Sequence, residues 1–183
     1  MVHTTLDMKS DPIRLETLAL LATEVTVPVG LTLDDVEVQV EKAEAAMSPF
    51  SLQLVTPATL KVRIGTQNIA AFLEKESPGG LKDFVVQLED GLVSVEATAR
   101  ILVELRVTAV CRLRTVDRSK IFVDLDSVSV KAPMVHGMVQ QQLDKINPIL
   151  DMADIGNHIQ IESVGVADGF VTVMGSVSSI QSL

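Results

Sequence analysis

The chain has 183 residues, 47% of them hydrophobic, and a formal net charge of −9. This length and composition predict a globular domain with a substantial core rather than a disordered chain. The composition disfavours nucleic acid as a partner. The net charge is acidic, whereas binding to the phosphate backbone requires a basic surface. Only 3% of the residues are aromatic, with no Trp and no Tyr, whereas unpaired bases stack on aromatic side chains.

The chain ends predict little structure of their own. Residues 1–12 are polar and predict a flexible N-terminus that lacks the basic and apolar regions of a signal peptide. If Met1 is the native start, we expect the protein in the cytoplasm, either free or attached peripherally to the inner membrane. Residues 13–177 predict a single domain, followed by a C-terminal tail at residues 178–183.

Four short stretches share one pattern of alternating apolar residues that changes parity at an acidic residue. Alternation with period two predicts strands with one buried face, and the change of parity predicts a β-bulge in each copy. Since bulges bend strands, the pattern predicts a curved sheet. The first copy would also fit a short helix, but the repeat favours a strand. The copies are residues 13–20, 31–38, 123–130 and 159–166.

Helices are predicted between the strands. The first begins at Thr66, a good N-cap, and ends at the Ser-Pro-Gly-Gly turn of residues 77–80. The second follows Pro133 and ends at Asn147, which precedes a proline. The Ala-rich residues 42–47 predict a brief helix or a loop.

A long alternating run follows the Asp-Gly pair at residues 90–91. Every odd position from Val93 to Leu113 is apolar, which predicts one continuous apolar face. A single strand would be roughly 70 Å long at about 3.3 Å per residue. A hairpin that turns near residues 102–104 is therefore favoured over one very long strand. A second Asp-Gly pair at residues 168–169 predicts the turn of a closing hairpin.

The fold class follows from these elements. We predict an α+β protein in which a strongly curved, mostly antiparallel sheet with bulged strands wraps around about two helices.

The sequence carries no catalytic or metal-binding signature. It contains no nucleophile elbow, phosphate-binding loop, dinucleotide fingerprint or metal-ligand spacing, and its three His residues are scattered. Repeated carboxylates such as Asp34 and Asp126 favour solvated or bulge-capping roles, because calcium requires six or more converging oxygens. Cys111 is expected to be a small buried residue. We therefore expect no catalytic residue, no metal and no enzymatic activity.

Several segments resemble one protein family. Residues 145–154 (KINPILDMAD) and residues 159–175 look like the C-terminal signature of the LmeA-like phospholipid-binding family. Residues 63–73 and 84–91 are similar to the central helix and hairpin of that family. The resemblance extends over residues 25–177. It implies a bacterial protein with a fold like that of tubular lipid-binding (TULIP) modules, and phospholipid or fatty acid as the bound ligand.

With this resemblance, the apolar stripes predict a groove for acyl chains between the helices and the curved sheet. Small side chains on the buried face of the long run would leave room for such chains. The head-group candidates belong to a basic island: Arg106, Arg112 and Arg114. The predicted groove residues are Ile69, Phe72, Leu73, Val95, Ala97, Ile101, Val103, Leu105, Val107, Ala109, Val135, Met138, Val139, Leu143 and Ile146.

An enzyme acting on lipid or glycan substrates is disfavoured, because the sequence does not place a base and a nucleophile together. Two other interpretations remain open at this point. The helices could close on the sheet to form a solid core without a ligand. Alternatively, the chain could be an interaction or scaffold module whose apolar face is buried in an oligomer or against a protein partner.

Overall fold

The structure is a computed structural model and describes residues 13–47, 50–76, 81–100, 104–129, 133–156 and 158–179. These residues form thirteen strands, two α-helices and one 3-10 helix. In chain order the elements are β1 (Ile13–Leu15), β2 (Leu18–Thr26), β3 (Thr32–Val40), β4 (Ala43–Met47), β5 (Phe50–Leu54), β6 (Ala58–Gly65), α1 (Thr66–Glu76), β7 (Leu81–Glu89), β8 (Leu92–Arg100), β9 (Glu104–Val116), β10 (Lys120–Val128), α2 (Pro133–Ile146), β11 (Leu150–Asp151), the 3-10 helix (Met152–Asp154), β12 (Ile159–Ala167) and β13 (Phe170–Val177).

The described strands form antiparallel sheets that curl into a half-barrel. A small sheet has the order β1-β4-β5. A second sheet, here called the β9 sheet, has the order β11-β10-β9-β8-β7, and a third, the β6 sheet, has the order β12-β13-β6-β3-β2. The predicted fold class, an α+β protein with a curved, mostly antiparallel sheet and two helices, is confirmed.

Alternation along the strands builds the core. In β6, Ala58, Leu60, Val62 and Ile64 are buried, whereas Thr59 and Lys61 between them are exposed. Strand β13 pairs with β6 and buries its own alternate residues on the same face, so two apolar faces join into one surface. Burying each such Val or Leu side chain contributes about 1.5–3 kcal/mol.

The long alternating run folds as a hairpin, as predicted. Strands β8 and β9 pair antiparallel from Val93 opposite Cys111 to Arg100 opposite Glu104. The connecting residues 101–103 lie outside the described part of the chain. Both Asp-Gly turns are also confirmed, since Asp90, Gly91, Asp168 and Gly169 all have positive φ angles between 51° and 79°, which suit tight hairpin turns.

Two of the four predicted bulges are present. The pairing of β10 with β9 shifts between Leu125 and Ser127, and the pairing of β12 with β13 shifts between Ile161 and Ser163. The predicted bulge in residues 13–20 is wrong, because the chain there breaks into β1 and β2, which belong to different sheets.

The bulge predicted in residues 31–38 is also wrong, although the change of parity is real. Strands β2 and β3 keep a single register throughout. Leu33 and Val36 nevertheless border the same cavity, as does Val25 on β2. Glu24 on β2 has a φ of 54°, opposite the parity change at Asp34. The side chains of β2 and β3 therefore change faces at the same point along the pair, so the two strands stay in register without a bulge.

The prediction of a brief helix or a loop for residues 42–47 is also wrong. It forms strand β4, which pairs with β1 on one side and β5 on the other. These pairings override the helix propensity of its alanines.

Both helices lie where the sequence predicts them. Helix α1 contacts β7, β3 and β6 and buries Phe72, whereas α2 contacts β10. Helix α2 buries Val135, Val139 and Leu143, which are spaced four residues apart and so share one face. Both helices therefore place apolar side chains next to the β9 sheet.

Candidate functional site

An apolar cavity of about 80 Å³ lies between the two helices and strands β7, β8 and β9. We call it the helix cavity. Among the described residues, Glu76 on α1 and Gln142 on α2 are its polar members, and all the other described lining residues are apolar. The apolar lining residues are Leu73, Leu81, Phe84, Val95, Ala97, Val107, Ala109, Cys111, Val139, Leu143 and Ile146.

A second apolar cavity, of about 90 Å³, lies where both helices meet both large sheets. We call it the middle cavity. Its described lining is contributed by α1, α2, the β9 sheet and the β6 sheet, and contains no charged side chain among the residues that the structure describes. The two cavities are neighbours that share five lining residues, and we refer to them together as the helix pocket. The shared residues are Leu73, Val95, Cys111, Leu143 and Ile146.

The structure brings most of the predicted groove residues together. Leu105, Val135 and Met138 border neither cavity, and Ile101 and Val103 lie outside the described residues. The predicted residues that border the helix pocket are Ile69, Phe72, Leu73, Val95, Ala97, Val107, Ala109, Val139, Leu143 and Ile146. That they hold a lipid stays a prediction.

Sequence reasoning missed the lining residues supplied by other strands. Leu81 and Phe84 come from β7, Ile64 and Val171 come from the β6 sheet, and Leu31 immediately precedes β3. The local sequence around these residues indicates only that apolar and polar residues alternate. Their approach to the helices depends on how the sheets pack, for which the sequence has no local signal.

The head-group candidates lie on the other face of β9. Val107, Ala109 and Cys111 are buried at odd positions, whereas Arg106 and Arg112 alternate with them and are exposed. Each candidate arginine pairs with a carboxylate on a neighbouring strand: Arg106 with Glu96 at 3.0 Å, Arg112 with Asp126 at 3.3 Å, and Arg114 with Asp124 at 2.6 Å. The structure therefore does not bring these arginines together with the lining of the helix pocket.

The Arg114–Asp124 pair also affects the ionisation of its members. The hydrogen bond that the Arg114 guanidinium donates holds the pKa of Asp124 below its usual value. Exposed pairs of this kind contribute little to stability, because water screens them. We interpret the arginines as cross-strand partners on the outer surface of the β9 sheet.

Cys111 borders both parts of the helix pocket. Burial, and secondarily the charge of Asp126, raises the pKa of its thiol from 9.0 to about 11. Since only the thiolate is an effective nucleophile, Cys111 is a neutral wall residue at physiological pH.

Asp34, the carboxylate at the parity change of β3, has two hydrogen-bond donors as partners. Its Oδ2 accepts hydrogen bonds from the backbone N–H of Gly65 at 2.7 Å and from Nδ2 of Asn68 at 3.0 Å. Asp34 thus joins β3 to the start of α1. Within the described ranges, no group of three or more His, Cys, Asp or Glu side chains is arranged to hold a metal ion.

Neither helix of the described structure has the length and apolar character needed to cross a membrane. A family model described as LmeA-like phospholipid-binding matches residues 14–176, nearly the whole chain. The chain therefore belongs to the LmeA-like phospholipid-binding family, as the resemblance implied. No curated protein and no solved structure matches it.

Proposed function

We propose that this protein binds a phospholipid by holding acyl chain in the helix pocket, and that it carries or presents the lipid without a chemical step. The two neighbouring apolar cavities between the helices and the sheets carry this proposal. Small side chains at Ala97, Ala109 and Cys111 leave space opposite α2, and membership of a phospholipid-binding family supports the same ligand class.

The energetics of acyl chains favour exchange with membranes over release into water. Removing a chain from water is favourable by about 0.8 kcal/mol per methylene. A bilayer interior is already apolar, so moving the same chain from a membrane into the pocket changes the free energy little. A protein of this kind can therefore exchange lipid during membrane contact and retain it in solution. Its cytoplasmic location stays a prediction.

The polar members of the helix cavity indicate where a head group would lie. Glu76 stands at the end of α1 and Gln142 in the second half of α2, whereas the other lining residues are apolar. Because a phospholipid head group requires water or hydrogen-bond partners, we place its phosphate beside the Gln142 amide, which can donate a hydrogen bond, and away from the Glu76 carboxylate, which repels an anion. The arginines of the outer face are not part of this arrangement.

Lipid extraction and uptake test the proposal. Organic extraction of the purified protein followed by mass spectrometry should release phospholipid, and delipidated protein should take up a fluorescent phospholipid from vesicles. Ala109→Phe, which fills the helix cavity, should reduce uptake. Ala71→Phe places the same side chain on the exposed side of α1 and serves as the matched control. Absence of both extracted lipid and uptake would refute the function.

One surface feature favours the alternative of a protein-interaction module. Leu21 lies on β2, the edge strand of the β6 sheet, and its side chain is 71% exposed. An apolar edge strand is a template for pairing with another chain. Light scattering would distinguish the two functions, since a scaffold should form a stable complex and a lipid carrier can remain monomeric.

A further inference from the structure

Three hairpin turns of the described structure begin with Asp and differ in the residue that follows. Gly follows in Asp90–Gly91 and in Asp168–Gly169, whereas Arg118 follows Asp117 in the turn between β9 and β10. Arg118 has a φ of 53°. Glycine adopts a positive φ without steric cost, whereas other residues then bring their Cβ close to the following carbonyl oxygen. The backbone of this turn would therefore favour Gly at position 118.

Backbone hydrogen bonds hold the turn in this conformation. The carbonyl of Arg118 accepts from the N–H of Ile161 at 2.7 Å, and the carbonyl of Ser119 accepts from the N–H of Met152 at 2.8 Å. The N–H of Ser119 donates to the carbonyl of Val116 at 3.1 Å. Glycine at position 118 could make the same bonds, because none of them involves a side chain. The turn thus does not require the Arg118 side chain, and strained residues of this kind cluster at functional sites.

Arg118 also differs from the other arginines in its partners. It is exposed and forms no ion pair with any residue in the described part of the chain. Its guanidinium N–H groups are therefore available to a ligand. The other arginines whose side chains the structure describes each lie within 3.5 Å of a carboxylate oxygen: Arg14, Arg63, Arg106, Arg112 and Arg114.

Arg118 borders an open pocket of about 470 Å³ between this turn, the 3-10 helix and the start of β12. We call it the turn pocket. Its volume lies within the ~300–1,000 Å³ range of ligand pockets. It shares no described lining residue with the helix pocket, so it is separate from the head-group position beside Gln142. Its described polar lining residues are Asp117, Arg118, Ser119, Lys120, Asp151 and Gln160.

The charged side chains that line the turn pocket balance one another. Lys120 and Asp151 form an internal pair, in which Nζ and Oδ2 are 2.8 Å apart. The other carboxylate oxygen of Asp151 accepts from the N–H of Ala153 at 3.0 Å. Asp117 and Arg118 remain, with one carboxylate and one guanidinium. The described lining therefore presents one charge of each sign from consecutive residues.

A free anion does not suit this arrangement. Arg118 attracts a phosphate, but Asp117 and Asp151 repel it, and the net charge of the chain is −9. A ligand that carries phosphate and ammonium on a short spacer places each charge beside its opposite. The guanidinium fork of Arg matches the geometry of phosphate. The Ser119 hydroxyl and the Gln160 amide are neutral donors in the same pocket.

We propose that the turn pocket binds a zwitterionic phosphoethanolamine group, with its phosphate on Arg118 and its ammonium on Asp117. The head group of phosphatidylethanolamine and the soluble molecule glycerophosphoethanolamine carry the same phosphodiester and the same ammonium. The site does not depend on acyl-chain binding, because the turn pocket and the helix pocket share no described lining residue.

An NMR titration of the Ser119 and Gln160 amide signals with glycerophosphoethanolamine tests the site. The unsubstituted protein should bind this zwitterion about tenfold more tightly than inorganic phosphate. Asp117→Asn removes the negative charge but keeps a side chain that tolerates a positive φ. This variant should bind the zwitterion more weakly and inorganic phosphate more tightly. If the unsubstituted protein binds phosphate as tightly as the zwitterion, or binds neither, the proposal is overturned.

Arg118→Gly separates a binding role from a structural one. Loss of the guanidinium should weaken binding of the zwitterion about tenfold. The same substitution relieves the positive φ and should raise the Tm by about 2 °C. Unchanged binding, or a fall in Tm together with the loss of binding, would overturn the proposal. The matched control is Arg112→Gln, which removes the same charge from the outer face of the β9 sheet and should leave binding unchanged.

Vesicles distinguish the two sources of the group. Cosedimentation with phosphatidylethanolamine vesicles but not with phosphatidylglycerol vesicles, in competition with glycerophosphoethanolamine, would assign the site to membrane head groups. Binding of the soluble molecule without cosedimentation would assign it to the soluble ligand. Cosedimentation that Arg118→Gly does not weaken would overturn the assignment to head groups. Ala109→Phe, which fills the helix cavity, should leave this binding unchanged, so the site and the proposed function fail independently.

Discussion

The side-chain amide of Asn147 pairs with both backbone polar groups of Val123. Its Nδ2 donates to the Val123 carbonyl at 2.8 Å, and its Oδ1 accepts from the Val123 N–H at 2.8 Å. The side-chain amide thus makes the two hydrogen bonds to β10 that the backbone of a paired strand residue would make. The backbone N–H of Ile149 then donates to the carbonyl of Ile121 at 2.9 Å. Because Asn147 directly follows α2, this pairing fixes the end of the helix that covers the helix pocket.

We predict that Asn147→Ala lowers the free energy of unfolding by about 2 kcal/mol, because two part-buried hydrogen bonds are lost and the Val123 groups lose their partner. Urea denaturation measures the change. Gln140→Ala, which removes an exposed hydrogen bond to Asp144 on the same helix, should cost less than about 0.5 kcal/mol. Equal effects of the two substitutions would contradict a special role for Asn147.

Neighbouring carboxylates should differ sharply in their contributions to stability. Asp34 accepts from the Gly65 N–H and from Asn68, and Asp34→Ala should cost about 2–3 kcal/mol because hydrogen bonds to a charged acceptor are lost. Asp35→Ala removes a half-exposed pair with Arg63 at 3.4 Å and should cost at most ~1 kcal/mol. Thermal unfolding of both variants is the measurement. A larger loss for Asp35→Ala would show that the junction of β3 and α1 is not fixed by Asp34.

The pH dependence of the alkylation rate of Cys111 should show whether its thiol is buried in the wall of the helix pocket. With its pKa raised to about 11, its rate of alkylation should keep rising up to that pH rather than level off near 9.0. The unfolded chain, in which the thiol has its ordinary pKa, loses the proton first as pH rises. Burial of neutral Cys111 therefore stabilises the fold fully below about pH 9, and this contribution is lost between about 9 and 11.

Mass spectrometry of the labelled native protein measures the alkylation rate, and Cys111→Ala gives the background because the chain has no other cysteine. Bound phospholipid should slow the labelling further. A rate that levels off near the ordinary thiol pKa would show that Cys111 is not buried in the pocket wall.

The outer-face arginines should be dispensable for lipid uptake. Replacing Arg106, Arg112 and Arg114 together by Gln breaks their pairs with Glu96, Asp126 and Asp124 but leaves the apolar lining untouched. We expect uptake of fluorescent phospholipid to stay within about twofold, a free-energy difference of ~0.4 kcal/mol. A strong loss of uptake would support the head-group role that the sequence predicts for these residues.

Local patterns predicted most of the elements. The helix that starts at Thr66, the two Asp-Gly turns and the hairpin of the long run follow from capping, turn chemistry and alternation, which depend on neighbouring residues. Strand β4 was missed because its state is set by pairing with β1 and β5, against its own propensity.

The candidate site was predictable where one element supplied several lining residues. The stripes of α1 and α2 and the odd face of β8 and β9 indicated ten of the residues that border the helix pocket. The β6 sheet contributes through the pairing of Ile64 with Val171, which are far apart in sequence. The arginine pairs also depend on the register of β8, β9 and β10, which the sequence does not specify.

The shared change of parity at Glu24 and Asp34 makes β2 and β3 dependent on each other. Deleting one residue at this point in β2 alone would invert Leu18 and Leu20, moving them from the concave side of the sheet to the convex side. A matching deletion in β3 would be required to bring the two strands back into agreement. Insertions and deletions here should therefore be tolerated only in compensating pairs.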